Sequence, residues 1–315
     1  MSIVERAVDM FGAVPQPARK TAPASDAPLP PSKADLIERA VARKAAHEPG
    51  SVEPPHAPDL APAERPAPVA RSRAVSIDRE RLEQQRMLVP DGERTTIAES
   101  FRRIKRHILA NLASPKAGLG TNLVMITSSL PGEGKTFCAI NLAISLALEI
   151  DRTVLLVDAD VAKPSVTSAL GIKVDGELGL MDVLLDRTIP LSDVICRTDI
   201  GALSVLPAGT RHSRATEVLA SHAMRELLQE TAERYPDRVI IFDSPPLLAA
   251  SEASALAARM GQIVLVVEAG RTTESTLKEA LARIESANVV GALLNKGSPP
   301  GASLGGYGYG YGYGE

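Results

Sequence analysis

From Ile97 to Leu294 the chain alternates short, unbroken aliphatic runs with longer stretches of helical periodicity. The runs predict strands at Leu123–Thr127, Thr153–Val157, Arg238–Phe242, Ile263–Val267 and near Val289–Leu294. The helical stretches are Ala98–Leu112, Lys135–Glu149, Thr216–Arg234, Ser251–Arg259 and Thr273–Ser286. In the first of these, Phe101, Ile104, Ile108 and Leu112 fall along one stripe. Strands without polar alternation are buried on both faces, and helices between them supply the two covering layers. The expected fold class is α/β, a doubly wound, mostly parallel sheet.

Outside this region the pattern is lost. Fourteen of the 24 prolines precede residue 91, among Ala and mixed charge, in a stretch with too little to bury. Residues 1–90 are therefore expected to be a largely disordered arm, residues 91–296 the folded domain, and residues 297–315 a flexible tail. Two short helical patterns interrupt the arm. Met1–Phe11 aligns Ile3, Val4, Ala7, Val8 and Phe11, and Asp35–Ala46 is similar but more charged. They are either transient helices or docking elements. The Arg71–Arg86 segment interleaves Arg with Asp78, Glu80 and Glu83 and reads as solvated. The tail runs through Gly and Pro into Tyr307, Tyr309, Tyr311 and Tyr313, each separated by Gly, and these are four of only five tyrosines.

Composition narrows the function. Lys+Arg 35 against Asp+Glu 38 gives a net charge of -3, so no basic field recruits nucleic acid. Cys138 and Cys196 are too few for a disulfide framework or a Cys-rich zinc site, and the five His residues lack metal-ligand spacing. Glu5 and Asp9 break what would be a signal peptide's apolar stretch, and no apolar window nears the ~20 residues of a membrane span. A reducing, cytoplasmic location is the expectation.

Candidate chemistry begins where strand Leu123–Thr127 leads through Ser128-Ser-Leu-Pro-Gly132-Glu-Gly134 to Lys135-Thr136 and a helix. Such a loop, with the free N–H groups of the helix start, makes a concave anion site of the P-loop NTPase kind. Pro131, Gly132, Glu133, Gly134, Lys135, Thr136 and Phe137 are the candidate nucleotide-binding residues, with Gly132 and Gly134 giving close backbone approach. Lys135 would bridge the β- and γ-phosphates, and the Thr136 hydroxyl would ligate Mg²⁺. Ser129 stands where the full pattern has Gly, so the match is to GxGK[ST]. Two more strands end in acids: Asp158 and Asp160 after Val154–Val157, and Asp243 before Ser-Pro-Pro246. Strand carboxyl ends form the ligand crevice of an open α/β sheet. Asp243 fits an acid on the Mg²⁺ side, while Asp158 and Asp160 either polarise an attacking hydroxyl or share the metal. ATP and Mg²⁺ are the expected cofactors. Asn295-Lys296 either approaches the base or simply ends the last strand.

The Gly-Glu-Gly-Lys-Thr loop, the Asp-x-Asp and Asp-Ser-Pro-Pro strand ends and the Tyr-rich tail occur in one order. Over residues 76–315 this combination resembles the bacterial tyrosine autokinases of capsule and exopolysaccharide systems, and Ser76-Ile-Asp with Glu99–Arg106 resembles their stand-alone, exosortase-associated subgroup. The resemblance implies a MinD/ParA-like fold, catalysis by Lys135, Asp158, Asp160 and Asp243, and a metal environment of Thr136, Asp158 and Asp243. It also implies autophosphorylation of Tyr307, Tyr309, Tyr311 and Tyr313. A membrane-embedded activator of the polysaccharide co-polymerase type would hold the kinase at the inner membrane. Members assemble through a Glu-x-x-Arg-x-x-Arg helix, matched here by Glu99 and Arg102, with Lys105 in place of the second Arg. The alternative is an ordinary solvated helix face. Lys163 stands near the position where members carry an Arg after the second Asp.

Two other roles share parts of this pattern. A MinD/ParA-type positioning ATPase would carry Lys early in the loop, where this chain has Ser128–Pro131. A non-catalytic nucleotide-dependent scaffold would not need Lys135, Thr136, Asp158, Asp160 and Asp243 together.

Overall fold

The computed structural model describes residues 73–297, apart from 91, 93–94, 115–116, 119, 174–177, 236 and 285–288. Chain order runs β1 (Arg73–Val75), α1 (Arg79–Gln84), α2 (Thr96–Leu112), β2 (Leu123–Ser128), α3 (Lys135–Ala147) and β3 (Thr153–Asp158). Next come α4 (Val166–Ala169), α5 (Leu180–Leu185), α6 (Leu191–Val194), β4 (Cys196–Thr198), β5 (Leu203–Leu206), α7 (Ala215–Leu219) and α8 (His222–Arg234). The series closes with β6 (Arg238–Asp243), α9 (Ser251–Ala257), β7 (Gln262–Glu268), α10 (Glu274–Ala282) and β8 (Val289–Asn295).

The strands form one sheet in the order β1-β4-β5-β3-β6-β2-β7-β8. Every pairing is parallel except β4 with β5. The doubly wound α/β expectation therefore holds, with one antiparallel pair added. Side chains alternate across the strands into two cores. One face packs Met125, Leu155, Ile240 and Leu265 under α5, α8 and α9. The other packs Val124, Leu156, Ile241 and Val266 under α1, α2 and α3. Cys138 to Ala147 is buried without a break, because sheet and α2 enclose α3, with Asn141 and Ser145 as the polar residues inside it.

Three expectations need correction. The boundary at residue 91 falls inside the fold: Ile77, Leu82, Met87 and Leu88 are buried in the α3-side core. Their wide spacing among charges hid them, and the segment is pinned by Leu88 N–H donating to Asn141 Oδ1 at 2.6 Å. The single helix expected over Thr216–Arg234 is two, because the Ser221 hydroxyl caps α8 by accepting from Met224 N–H. Lys105, expected on an assembly face, is buried and donates to the Ser145 carbonyl at 2.9 Å while pairing with Glu149. The α2 helix turns Lys105 onto α3, so that side chain ties two helices of one subunit together. Glu99 and Arg102 remain exposed and pair with each other. The arm before residue 73, including both short helical patterns, and the four tail tyrosines lie outside the described residues.

Candidate active site

The register of the three central strands assembles the site. Asp158 ends β3 directly opposite Asp243, which ends β6, and Asp243 pairs with Ile126 of β2. Two residues beyond Ile126 the chain leaves β2 into the loop. Gly132 and Gly134 both take positive φ, 88° and 96°, as a chain folding back around an anion requires. At Gly134 a Cβ would lie 2.1 Å from Asn295 Nδ2, so a side chain there would push Asn295 off the loop as well as strain the left-handed backbone.

Lys135 and Thr136 open α3, and each meets one of the acids. Lys135 Nζ sits 2.7 Å from Asp160 Oδ2. The Thr136 hydroxyl donates to Asp243 Oδ2 at 2.6 Å and lies 2.9 Å from the Ser165 hydroxyl. Asp158 Oδ2 accepts the backbone N–H groups of Ser165 at 2.9 Å and Val166 at 3.0 Å. All four acidic and basic side chains named at the sequence level are thus brought together. Ser165, at the start of α4, is a member that sequence reasoning missed. Its only signal was a Ser after Lys163-Pro164 at the entry to a short helix. Lys163 contributes its N–H to Asp160, accepted at both the backbone oxygen (3.0 Å) and Oδ1 (3.2 Å).

Burial sets the electrostatics. Asp158 and Asp243 are fully buried, and each has one oxygen, Oδ1, with no hydrogen-bond partner. Burial pushes the Asp158 carboxyl up to about 7, helped by the Asp243 and Asp160 charges and opposed by the Val166 and Ser165 N–H groups. Burial likewise raises Asp243 to about 6 against the pull of Lys135 and the Thr136 hydroxyl. Burial works to lower Lys135, but Asp243, Asp160 and Asp158 outweigh it and hold its ammonium above the ordinary value. The result is a cation beside acids that are reluctant to ionise together.

These donors fit a Mg²⁺–nucleotide. Among the described residues, no group of three or more His, Cys, Asp or Glu could enclose a metal by itself. Mg²⁺ usually takes one or two carboxylates and fills its remaining positions with phosphates and water. The Thr136 hydroxyl and the orphaned Oδ1 of Asp243 match that requirement, and Lys135 matches the phosphates.

Not all seven loop residues face the ligand. The Glu133 side chain is buried and accepts Leu130 N–H at 2.7 Å, so it braces the loop. The Phe137 ring packs 6.3 Å from Phe101, which leaves its backbone as the part available to phosphate.

Comparison with known proteins agrees with this geometry. Residues 121–289 match the family described as AAA domain. The chain is 35% identical over 193 residues to the tyrosine-protein kinase YwqD of Bacillus subtilis, covering 60% of this chain and 78% of that protein. The chain belongs to the bacterial tyrosine-protein kinases. It is 29% identical to the putative tyrosine-protein kinase CapB of Staphylococcus aureus over 67% of this chain and 89% of the relative. Of the putative tyrosine-protein kinase EpsB from Ralstonia nicotianae it spans 22%, at 34% identity over 54% of this chain. Among solved structures, the kinase domain of Escherichia coli tyrosine kinase ETK aligns with TM-score 0.57 and 26% identity, covering 75% of this chain and 94% of that one. The chimerical protein CapA2B2 aligns equally well, with TM-score 0.57 and 27% identity over 70% of this chain and 92% of that one. The kinase's P-loop is thus an ATP site by family as well as by shape.

Proposed function

We propose that this kinase phosphorylates its own C-terminal cluster, Tyr307, Tyr309, Tyr311 and Tyr313, using ATP with Mg²⁺. The observation that supports the reading is that Lys135 and the Thr136 hydroxyl, at the end of the loop, meet the carboxylates of Asp160 and Asp243, with Asp158 beside Asp243 at the strand ends. When bound, Mg²⁺ supplies charge neutralisation for the phosphates, held by Thr136 and Asp243. Lys135 orients the β- and γ-phosphates from the loop side. Asp158 Oδ1, whose carboxyl titrates near neutrality, accepts the phenol proton as the tyrosine oxygen bonds to the γ-phosphorus and the bond to the β-phosphate oxygen breaks. ADP leaves, and Asp160 keeps the Lys135 ammonium in place.

The tail suits this role because glycine neighbours leave each tyrosine free to enter a narrow site. The eleven residues from Lys296 to Tyr307 reach at most roughly 36–40 Å, enough for a neighbouring subunit in a ring. Each phosphate adds about −1.5 to −2 charges, so four add roughly −6 to −8 and favour separation of such a ring. In this reading the kinase belongs to the exosortase-associated subgroup and regulates exopolysaccharide synthesis or export. A membrane-embedded activator of the co-polymerase type holds it at the cytoplasmic side of the inner membrane. A relative named succinoglycan biosynthesis transport protein ExoP, of Rhizobium meliloti, is 35% identical over 216 residues and supports the polysaccharide context. Among the described residues no helix is long and apolar enough to cross a membrane, which is compatible with attachment through a partner.

Two variants test the assignment. Lys135→Ala should abolish tail phosphorylation. Replacing the four tail tyrosines with Phe should abolish phosphate incorporation while nucleotide binding persists. Normal phosphorylation in the first, or lost nucleotide binding in the second, would overturn the respective assignment.

A further inference from the structure

An anion-binding loop works only if its amide N–H groups point inward, and this obliges the attached carbonyls to point outward. Outward carbonyls left without partners would let the peptide planes flip. In this kinase the two central carbonyls are gripped from behind by the residues that end β8. Lys296 Nζ donates to the Gly132 carbonyl at 2.7 Å, and Asn295 Nδ2 donates to the Glu133 carbonyl at 2.9 Å. These carbonyls share peptide planes with the N–H groups of Glu133 and Gly134. The Glu133 carboxylate adds a third hold: one oxygen accepts Leu130 N–H at 2.7 Å, and the other is hydrogen-bonded to the Thr272 hydroxyl. Thr272 is itself anchored, accepting Glu268 N–H at 3.2 Å. Glu268 in turn pairs with Lys296 at 3.2 Å and Arg271 at 3.1 Å. Glu133 is only 1% exposed, and Lys296 adopts a left-handed φ of 58°, which is uncommon for a residue with a side chain.

We propose that Glu133, Asn295 and Lys296 are positioning residues of the phosphoryl-transfer site: they lock two peptide planes of the P-loop so that the Glu133 and Gly134 amides face the nucleotide phosphates. The clamp acts through the loop backbone from the side opposite the ligand. Hydrogen bonding at each carbonyl also polarises the N–H across the same peptide plane and strengthens it as a donor. The residue that makes one of these bonds, Lys296, is also the root of the tyrosine tail.

The test is titration of the full-length kinase with a fluorescent ADP analogue, alongside kcat and KM for ATP, a readout independent of whether the tail is the acceptor. Lys296→Ala, at an exposed position where folding is not at risk, should weaken nucleotide binding about tenfold, as expected for one charge-assisted hydrogen bond. Glu133→Ala should do the same or more, Glu133→Gln should recover most of the loss, and KM should rise more than kcat falls. Thr272→Val combined with Glu133→Ala should cost no more than Glu133→Ala alone, because the two side chains act as one connection. Nucleotide affinity within twofold of the parent in Lys296→Ala would overturn the role of that residue. Additive losses in the Glu133–Thr272 pair, or no recovery with Gln, would overturn the clamp.

Discussion

Substituting Asp158 by Asn separates the electrostatics of the site from its packing. Asp158 is fully buried, and its Oδ2 accepts two backbone N–H groups that an amide oxygen can also satisfy. The carboxyl is raised from 3.8 to about 7, foremost by burial and then by the Asp243 charge. A raised acid means that the native state holds its proton at pH values where the unfolded chain has released it. The cost to stability is absent below the unfolded pKa, grows as pH rises, and is complete above the folded one. At about 1.4 kcal/mol per tenfold, the full cost is about 4 kcal/mol. Roughly half of it accrues between about pH 5.5 and about pH 8.5, which makes about 2 kcal/mol. The new amide N–H₂ brings its own burial cost, but that cost does not titrate and cancels between the two pH values. Urea unfolding of nucleotide-free wild type and Asp158→Asn at both pH values should therefore show the variant gaining about 2 kcal/mol relative to wild type on going alkaline. An identical difference at both pH values would refute the buried, proton-holding carboxylate. The same substitution removes the proposed base, and turnover should fall by about 10²–10⁴.

Other perturbations follow from single contacts. Lys105→Ala should destabilise the domain by about 1–3 kcal/mol in denaturant unfolding, since it strips the Ser145 carbonyl of its partner; an unchanged midpoint with altered subunit assembly would return Lys105 to an intersubunit face. Gly134→Ala should weaken nucleotide binding about 10–100-fold in a fluorescence titration, because the added Cβ meets Asn295 Nδ2 at 2.1 Å in a left-handed conformation; affinity close to wild type would show that the loop tolerates a different path.

The parts that sequence reveals are those written in local patterns. Aliphatic runs such as Val154–Val157 fix both strand and depth, and an acid placed directly after such a run, as at Asp158 or Asp243, falls at the ligand edge of the sheet. The parts it hides depend on partners distant in the chain. Leu82 and Leu88 look solvated among their charged neighbours until Asn141, 53 residues beyond Leu88, is seen holding the Leu88 amide. Lys105 has the spacing of an exposed assembly motif, yet the Ser145 carbonyl, 40 residues away, draws it inward. Ser165 gains meaning only because β3 and α3 bring it beside Thr136. Short elements between Val161 and Leu206 carry too few residues each for periodicity to register.

Autophosphorylation of the tail is read out by intact-mass spectrometry of the purified chain after incubation with ATP and Mg²⁺, with and without the cytoplasmic segment of the proposed activator. The expected result is a series of phosphate additions that map to Tyr307, Tyr309, Tyr311 and Tyr313. A tail that stays unmodified while ATP is hydrolysed, activator present, would contradict it.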